Sequence, residues 1–142
     1  MKKLFLLLIL VCCFYSSCRD HGTLTIFYVN NISNHDVEIS VFNAEIQSRG
    51  GAIDTTYVIP KNGRIEDRVS TKGDNDFSYF PFGNPDSAII VFDNSLRIIY
   101  RRNDSNPRNI LKIDSYSGGK VDDGLYEFYY SITEEDYNKA EK

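Results

Sequence analysis

Residues 36–42 read Asp-Val-Glu-Ile-Ser-Val-Phe, with an apolar residue at every second position. A period of two sets Val37, Ile39 and Val41 on one face of an extended chain and Asp36, Glu38 and Ser40 on the other. No helix buries such a pattern. It specifies a half-buried antiparallel strand, which needs a second layer to cover its apolar face.

Similar segments recur along the chain. Thr23 to Val29 is apolar and β-branched, with Leu24, Ile26 and Tyr28 sharing a face, and the cluster Asn30 to His35 turns the chain. After a polar loop, Asn43 to Ala52, the run Ile53 to Ile59 places Ile53, Thr55, Tyr57 and Ile59 together. In Pro60-Lys61-Asn62-Gly63 the proline fixes φ early and the glycine permits positive φ late. Arg64 to Val69 follows with Ile65 and Val69 inward, so strand, turn and strand predict a hairpin. Ser70 to Asp86 is a long connection. Ala88 to Phe92 is continuously apolar, which predicts a central strand covered on both faces. Asp93-Asn94-Ser95 turns it back into Leu96 to Tyr100. Asn109 to Ile113 reads as a weaker strand after Pro107. Gly118-Gly119 and Asp122-Asp123-Gly124 bracket a turn. Leu125 to Ile132 carries Tyr126, Phe128, Tyr130 and Ile132 on one face.

Thr133-Glu134-Glu135-Asp136 then has the marks of a helix start: a Thr cap, acids in the first turn and an acid three residues on. A short helix to about Ala140 is expected. Seven or eight strands at this spacing predict an all-β fold, an antiparallel, immunoglobulin-like β-sandwich with a short C-terminal helix. A small β-barrel is the alternative.

The N-terminus has a different character. Met1-Lys2-Lys3 is basic, Leu4 to Phe14 is apolar all round, and small residues precede Cys18. That is the layout of a secretory signal peptide, too short to cross a bilayer as a helix. Ser16-Ser17-Cys18 resembles the lipobox of bacterial lipoproteins, with Tyr15 departing from its usual aliphatic residue. The resemblance implies cleavage after residue 17 and lipid on Cys18. Ordinary cleavage near Ser17, giving a soluble protein, is the alternative. The chain then divides into a signal peptide (1–17), a lipidated tether (18–22) and one domain (23–142). A methylene buried in the bilayer contributes about 0.8 kcal/mol, and two or more acyl chains hold stably.

Cys12 and Cys13 leave with the signal and Cys18 takes the lipid, so no internal disulfide is available and packing alone must hold the domain. Loss of Lys2 and Lys3 deepens the net charge beyond the −4 of the whole chain. That argues against nucleic acid as a partner.

No catalytic constellation is legible. His21 falls in the tether and His35 in a turn, with no His-x-x-His, Glu-x-x-His or Gly-x-Ser-x-Gly spacing. No catalytic residue, metal ligand or cofactor is assigned, and an enzyme is not expected. Gly73-Asp74-Asn75-Asp76 and Asp122-Asp123-Gly124 lack the closing Glu of a calcium loop and read as turns.

Two surfaces stand out. Phe77, Tyr79, Phe80 and Phe82 crowd a segment that Pro81 bars from a central strand. Exposed, they would offer a platform to a sugar, peptide or protein; the simpler expectation is that they plug one end of the sandwich. Arg97, Arg101, Arg102, Arg108 and Lys112 form a basic stretch in an acidic protein. It is a candidate anion or partner patch, and equally a strand edge guarded by charge.

The lipobox-like start, Ser87-Ala88-Ile89-Ile90-Val91-Phe92-Asp93, the stretch Arg108 to Tyr116 and the ending Tyr129 to Ala140 together resemble small uncharacterised lipoproteins of Bacteroides and relatives. The resemblance implies an outer-membrane location by lipid anchor. Arg19 after the Cys and a single nearby acid, Asp20, favour the periplasmic face. It also makes Thr55 and Ser87, in Asp54-Thr55-Thr56 and Asp86-Ser87-Ala88, candidate O-glycosylation sites. The functional expectation is a binding or structural module of the cell envelope with a protein or glycan partner. The alternative is an accessory subunit of a glycan-capture or adhesion assembly.

Overall fold

A computed structural model of the chain describes residues 22–43, 55–71, 81–83 and 85–142. Cys18, Phe77, Tyr79 and Phe80 lie outside the described residues.

The fold is a β-sandwich of two four-stranded sheets; no barrel closes. Sheet I has the order β4-β1-β8-β7, from β1 (Thr23–Asn31), β4 (Arg64–Thr71), β7 (Ser117–Asp122) and β8 (Leu125–Ile132). Sheet II has the order β3-β2-β5-β6, from β2 (Val37–Phe42), β3 (Thr55–Ile59), β5 (Ser87–Phe92) and β6 (Leu96–Arg101). Among the described residues one α-helix, α1 (Glu134–Lys139), follows β8, and short 3-10 turns lie at Pro81–Gly83 and Ile113–Ser115.

The alternation of residues 36–42 holds: Val37, Ile39 and Val41 are buried, and Glu38, Ser40 and Phe42 face outward. They pack with Ala88, Ile90 and Phe92 of β5 against Phe27, Val29 and Phe128 of sheet I. Burying a side chain of this size contributes about 1.5–3 kcal/mol, and it is this packing that holds the described residues, none of which is a cysteine. Tyr126, Phe128, Tyr130 and Ile132 share the inner face of β8 as expected. In β1 the core face is Thr25, Phe27, Val29 and Asn31; Leu24, Ile26 and Tyr28 form the opposite face.

Four local expectations are corrected. The turn at residues 60–63 does not make a hairpin. β3 pairs with β2 and β4 pairs with β1, so the chain crosses between sheets there. Within that turn Asn62 takes the positive φ of 59°. Gly63 is needed for close approach, since a Cβ on it would lie 2.7 Å from the Pro60 carbonyl oxygen. Second, β5 is central in its sheet but covered on one face only, with Ile89 and Val91 outward and half-buried. Third, Asn109 to Ile113 is not a strand. Its backbone closes local turns instead of a ladder, with Asn109 N–H donating to the Asn106 carbonyl (3.1 Å) and Lys112 N–H to the Asn109 carbonyl (2.9 Å), while Asn109, Ile110 and Leu111 are all buried. Asn109 holds the bend, its amide donating to the Arg101 carbonyl (2.6 Å) and its oxygen accepting from Leu111 N–H (3.0 Å). Fourth, Gly118-Gly119 is no turn but lies inside β7, paired with Phe128 and Glu127. Gly118, at φ 117°, would put a Cβ 2.2 Å from the Glu127 carbonyl oxygen.

The pairing of β1 and β8 is parallel and in register from Leu24–Leu125 to Asn31–Ile132. The hairpin of β5 and β6 turns at Asp93 and Asn94, both at positive φ, as the tight turns that match strand twist require. α1 begins with the expected capping box, Thr133 and Asp136 satisfying each other's backbone N–H. No helix among the described residues is long and apolar enough to cross a membrane.

Candidate functional site

Two polar clusters lie around α1, and both serve the fold. Asn31, fully buried at the end of β1, accepts from the Ser33 N–H (3.1 Å) and hydroxyl (2.7 Å). Its amide donates toward the carbonyls of His35 (2.8 Å), Ile59 (3.1 Å) and Pro60 (3.1 Å). One side chain thus ties the first turn to the crossover between sheets. His35 lies beside it with Nδ1 2.5 Å from Asp93 and Nε2 3.2 Å from Glu134, its ring stacked on Tyr137 at 3.5 Å. The hydrogen bond to Asp93, with that to Glu134, raises the imidazole pKa above its ordinary value. The same contacts hold Asp93 below the carboxylate range, and the Asn34 backbone and His35 do so for Glu134. The two carboxylates meet opposite ring nitrogens, so they clamp the ring and leave neither nitrogen free as a base. Among the described residues no group of three His, Cys, Asp or Glu could hold a metal ion.

The basic stretch does not stay together. Arg108 turns inward, its guanidinium bonding both oxygens of buried Asp136 (2.8 and 2.6 Å) and the Ser131 carbonyl (2.7 Å). That pairing raises its pKa further. The Lys112 ammonium bonds the Asp104 carbonyl, and Arg102 the Pro85 carbonyl. Arg97 and Arg101 remain exposed on the outer face of β6, where the backbone of Arg97 pairs with Glu141. Of the aromatic segment, Phe82 is described: half-buried at φ 61°, its ring 5.3 Å from Tyr57 and its N–H donating to Asp67 (2.7 Å). Thr55 begins β3 opposite Val41 on the core side, and Ser87 begins β5 on the outer side.

A different aromatic feature occupies the outer face of sheet I. The parallel register places Tyr28 beside Tyr129, and their rings stack at 4.9 Å, 14° from parallel. The Arg64 guanidinium sits 4.9 Å over Tyr28, closing that end of the stack with a cation–π contact. The stack ends in Tyr129, 37% exposed, whose phenol donates to Glu127 (2.5 Å), a bond that raises its pKa. The next strand, β7, sets Ser117 beside Tyr129 and Gly119 beside Glu127. With so little bulk on β7, the last ring borders a low shelf next to a carboxylate. No sequence signal marked it. Tyr28 and Tyr129 are 101 positions apart, and only the parallel pairing joins them.

No protein-family model matches the chain, and no curated protein matches it in sequence.

Proposed function

We propose that this chain is a lipid-anchored protein of the bacterial cell envelope, on the periplasmic face of the outer membrane, that acts by binding a glycan without transforming it. The observation that carries the binding reading is the Arg64–Tyr28–Tyr129 stack with its shelf of Ser117 and Gly119. An aromatic face packs against the C–H face of a sugar ring, and a neighbouring carboxylate accepts from hydroxyls. Glu127 stands in that place. The clamped His35 supports binding over catalysis, because both its nitrogens are already engaged.

A glycan array probed with wild type and Tyr129→Ala tests the site. Hits that disappear in the variant are expected; no hits, or hits that survive, would overturn it. The anchor rests on Ser16-Ser17-Cys18, five residues ahead of β1. Labelled palmitate should enter the wild-type chain and be absent from Cys18→Ala, and label retained in the variant would sink the anchor. The second reading, a subunit of a glycan-capture or adhesion assembly, is favoured by the apolar outer face of sheet II.

A further inference from the structure

The outer face of sheet II is arranged in rows by the strand register. One row reads Val58, Glu38, Val91, Arg97 across β3, β2, β5 and β6. The next reads Thr56, Ser40, Ile89, Ile99, and a third Phe42, Ser87, Arg101. Val58 is 67% and Ile99 45% exposed, with Ile89 and Val91 half-buried between them. An apolar centre therefore lies between a strand bearing an acid and a strand bearing two arginines.

We infer that this face joins the same face of a second copy through a twofold axis running along β5. Rotation about that axis lays β2 of one copy over β6 of the other, in the same row. Glu38 then meets Arg97 of the second copy, and the Phe42 ring meets Arg101. Val91 and Ile89 pack on their own counterparts at the axis. Stacked sheets sit about 10 Å apart, within reach of paired Glu and Arg side chains. An axis across the strands at the Ile89 row would instead set Arg97 on Arg101, like charge on like. Charge thus selects one of the two face-to-face arrangements, and the interface is isologous as a dimer requires.

Four strands about 4.8 Å apart and roughly 20 Å long make a small interface, so a dimer dissociating at about 1–100 µM is expected. The experiment is sedimentation equilibrium of the full chain in detergent, over that concentration range. Glu38→Arg and Arg97→Glu should each weaken the dimer at least about tenfold, and the two together should restore it to within about threefold. Both side chains project outward, so unchanged thermal melts will show that the variants are folded. A monomer throughout, or association indifferent to both reversals, would overturn the inference. In that case the face is covered by another part of the chain or by a different partner. The proposal does not depend on glycan binding, which occupies the other sheet.

Discussion

Around α1 the strong polar groups are paired within the fold: Asn31 with three carbonyls, His35 with two carboxylates, Arg108 with Asp136. On the two outer sheet faces the same residue types stand in the open. Arg97 and Arg101 project from β6, and Tyr129 ends a stack beside the small residues Ser117 and Gly119 of β7. The difference separates structure from recognition. Arginine in a basic stretch reads as one patch along the chain, yet Arg108 closes a helix while Arg97 faces outward. Substitutions near α1 should register as stability, and substitutions on the faces as binding.

The largest effect is expected at Asn31. Asn31→Ala strands the Ile59 and Pro60 carbonyls at the crossover and should cost about 4 kcal/mol, read by urea denaturation. Arg108→Ala comes next. It leaves Asp136 as an uncompensated carboxylate, 4% exposed, and should cost about 3 kcal/mol in the same assay. Arg97→Ala, in the same basic stretch, should change stability by no more than about 0.5 kcal/mol. If the two arginines cost the same, the comparison fails.

His35 provides a test by pH. Its folded pKa is raised, so its contribution is complete below about 6.5, the ordinary imidazole value, and fades as pH rises through the folded one. Asp93 and Glu134 are lowered, so theirs is present above about pH 4 and fades as pH falls through their folded values. Thermal melts of wild type and His35→Gln should therefore differ most between about pH 4 and 6.5 and converge at alkaline pH. A gap that widens with rising pH would contradict the clamp. A small effect on stability is also expected at Tyr129. Tyr129→Ala should shift the melt by about 1 kcal/mol or less, the worth of one exposed aromatic pair, while removing glycan hits.

Much of the local structure was legible. Alternation marked β2 and β8, the Asp93-Asn94 pair marked a hairpin turn, and Thr133 with Asp136 marked the helix start. The failures share a cause. Pro60 to Gly63 has turn residues suited to a hairpin, but a turn specifies a reversal and not which sheet receives the returning strand. Ser117 to Asp122 has glycines that suggest a turn, and becomes a strand because Gly118 must pass close to the Glu127 carbonyl. Asn109 sits in a β-like run, and its side chain takes the backbone partners a strand would use.

By itself the sequence determined the core faces of β2 and β8, where the helix begins, and that residues 23–142, which contain no cysteine, must be held by packing. These follow from period, capping and composition, which are properties of neighbouring residues. Only the tertiary structure decided that β1 lies parallel to β8, that Tyr28 meets Tyr129, and that Arg108 turns inward while Arg97 faces out. Backbone donors and acceptors are alike in every strand, so alternation selects the buried face and leaves the partner open. That choice falls to how the two sheets fill one core.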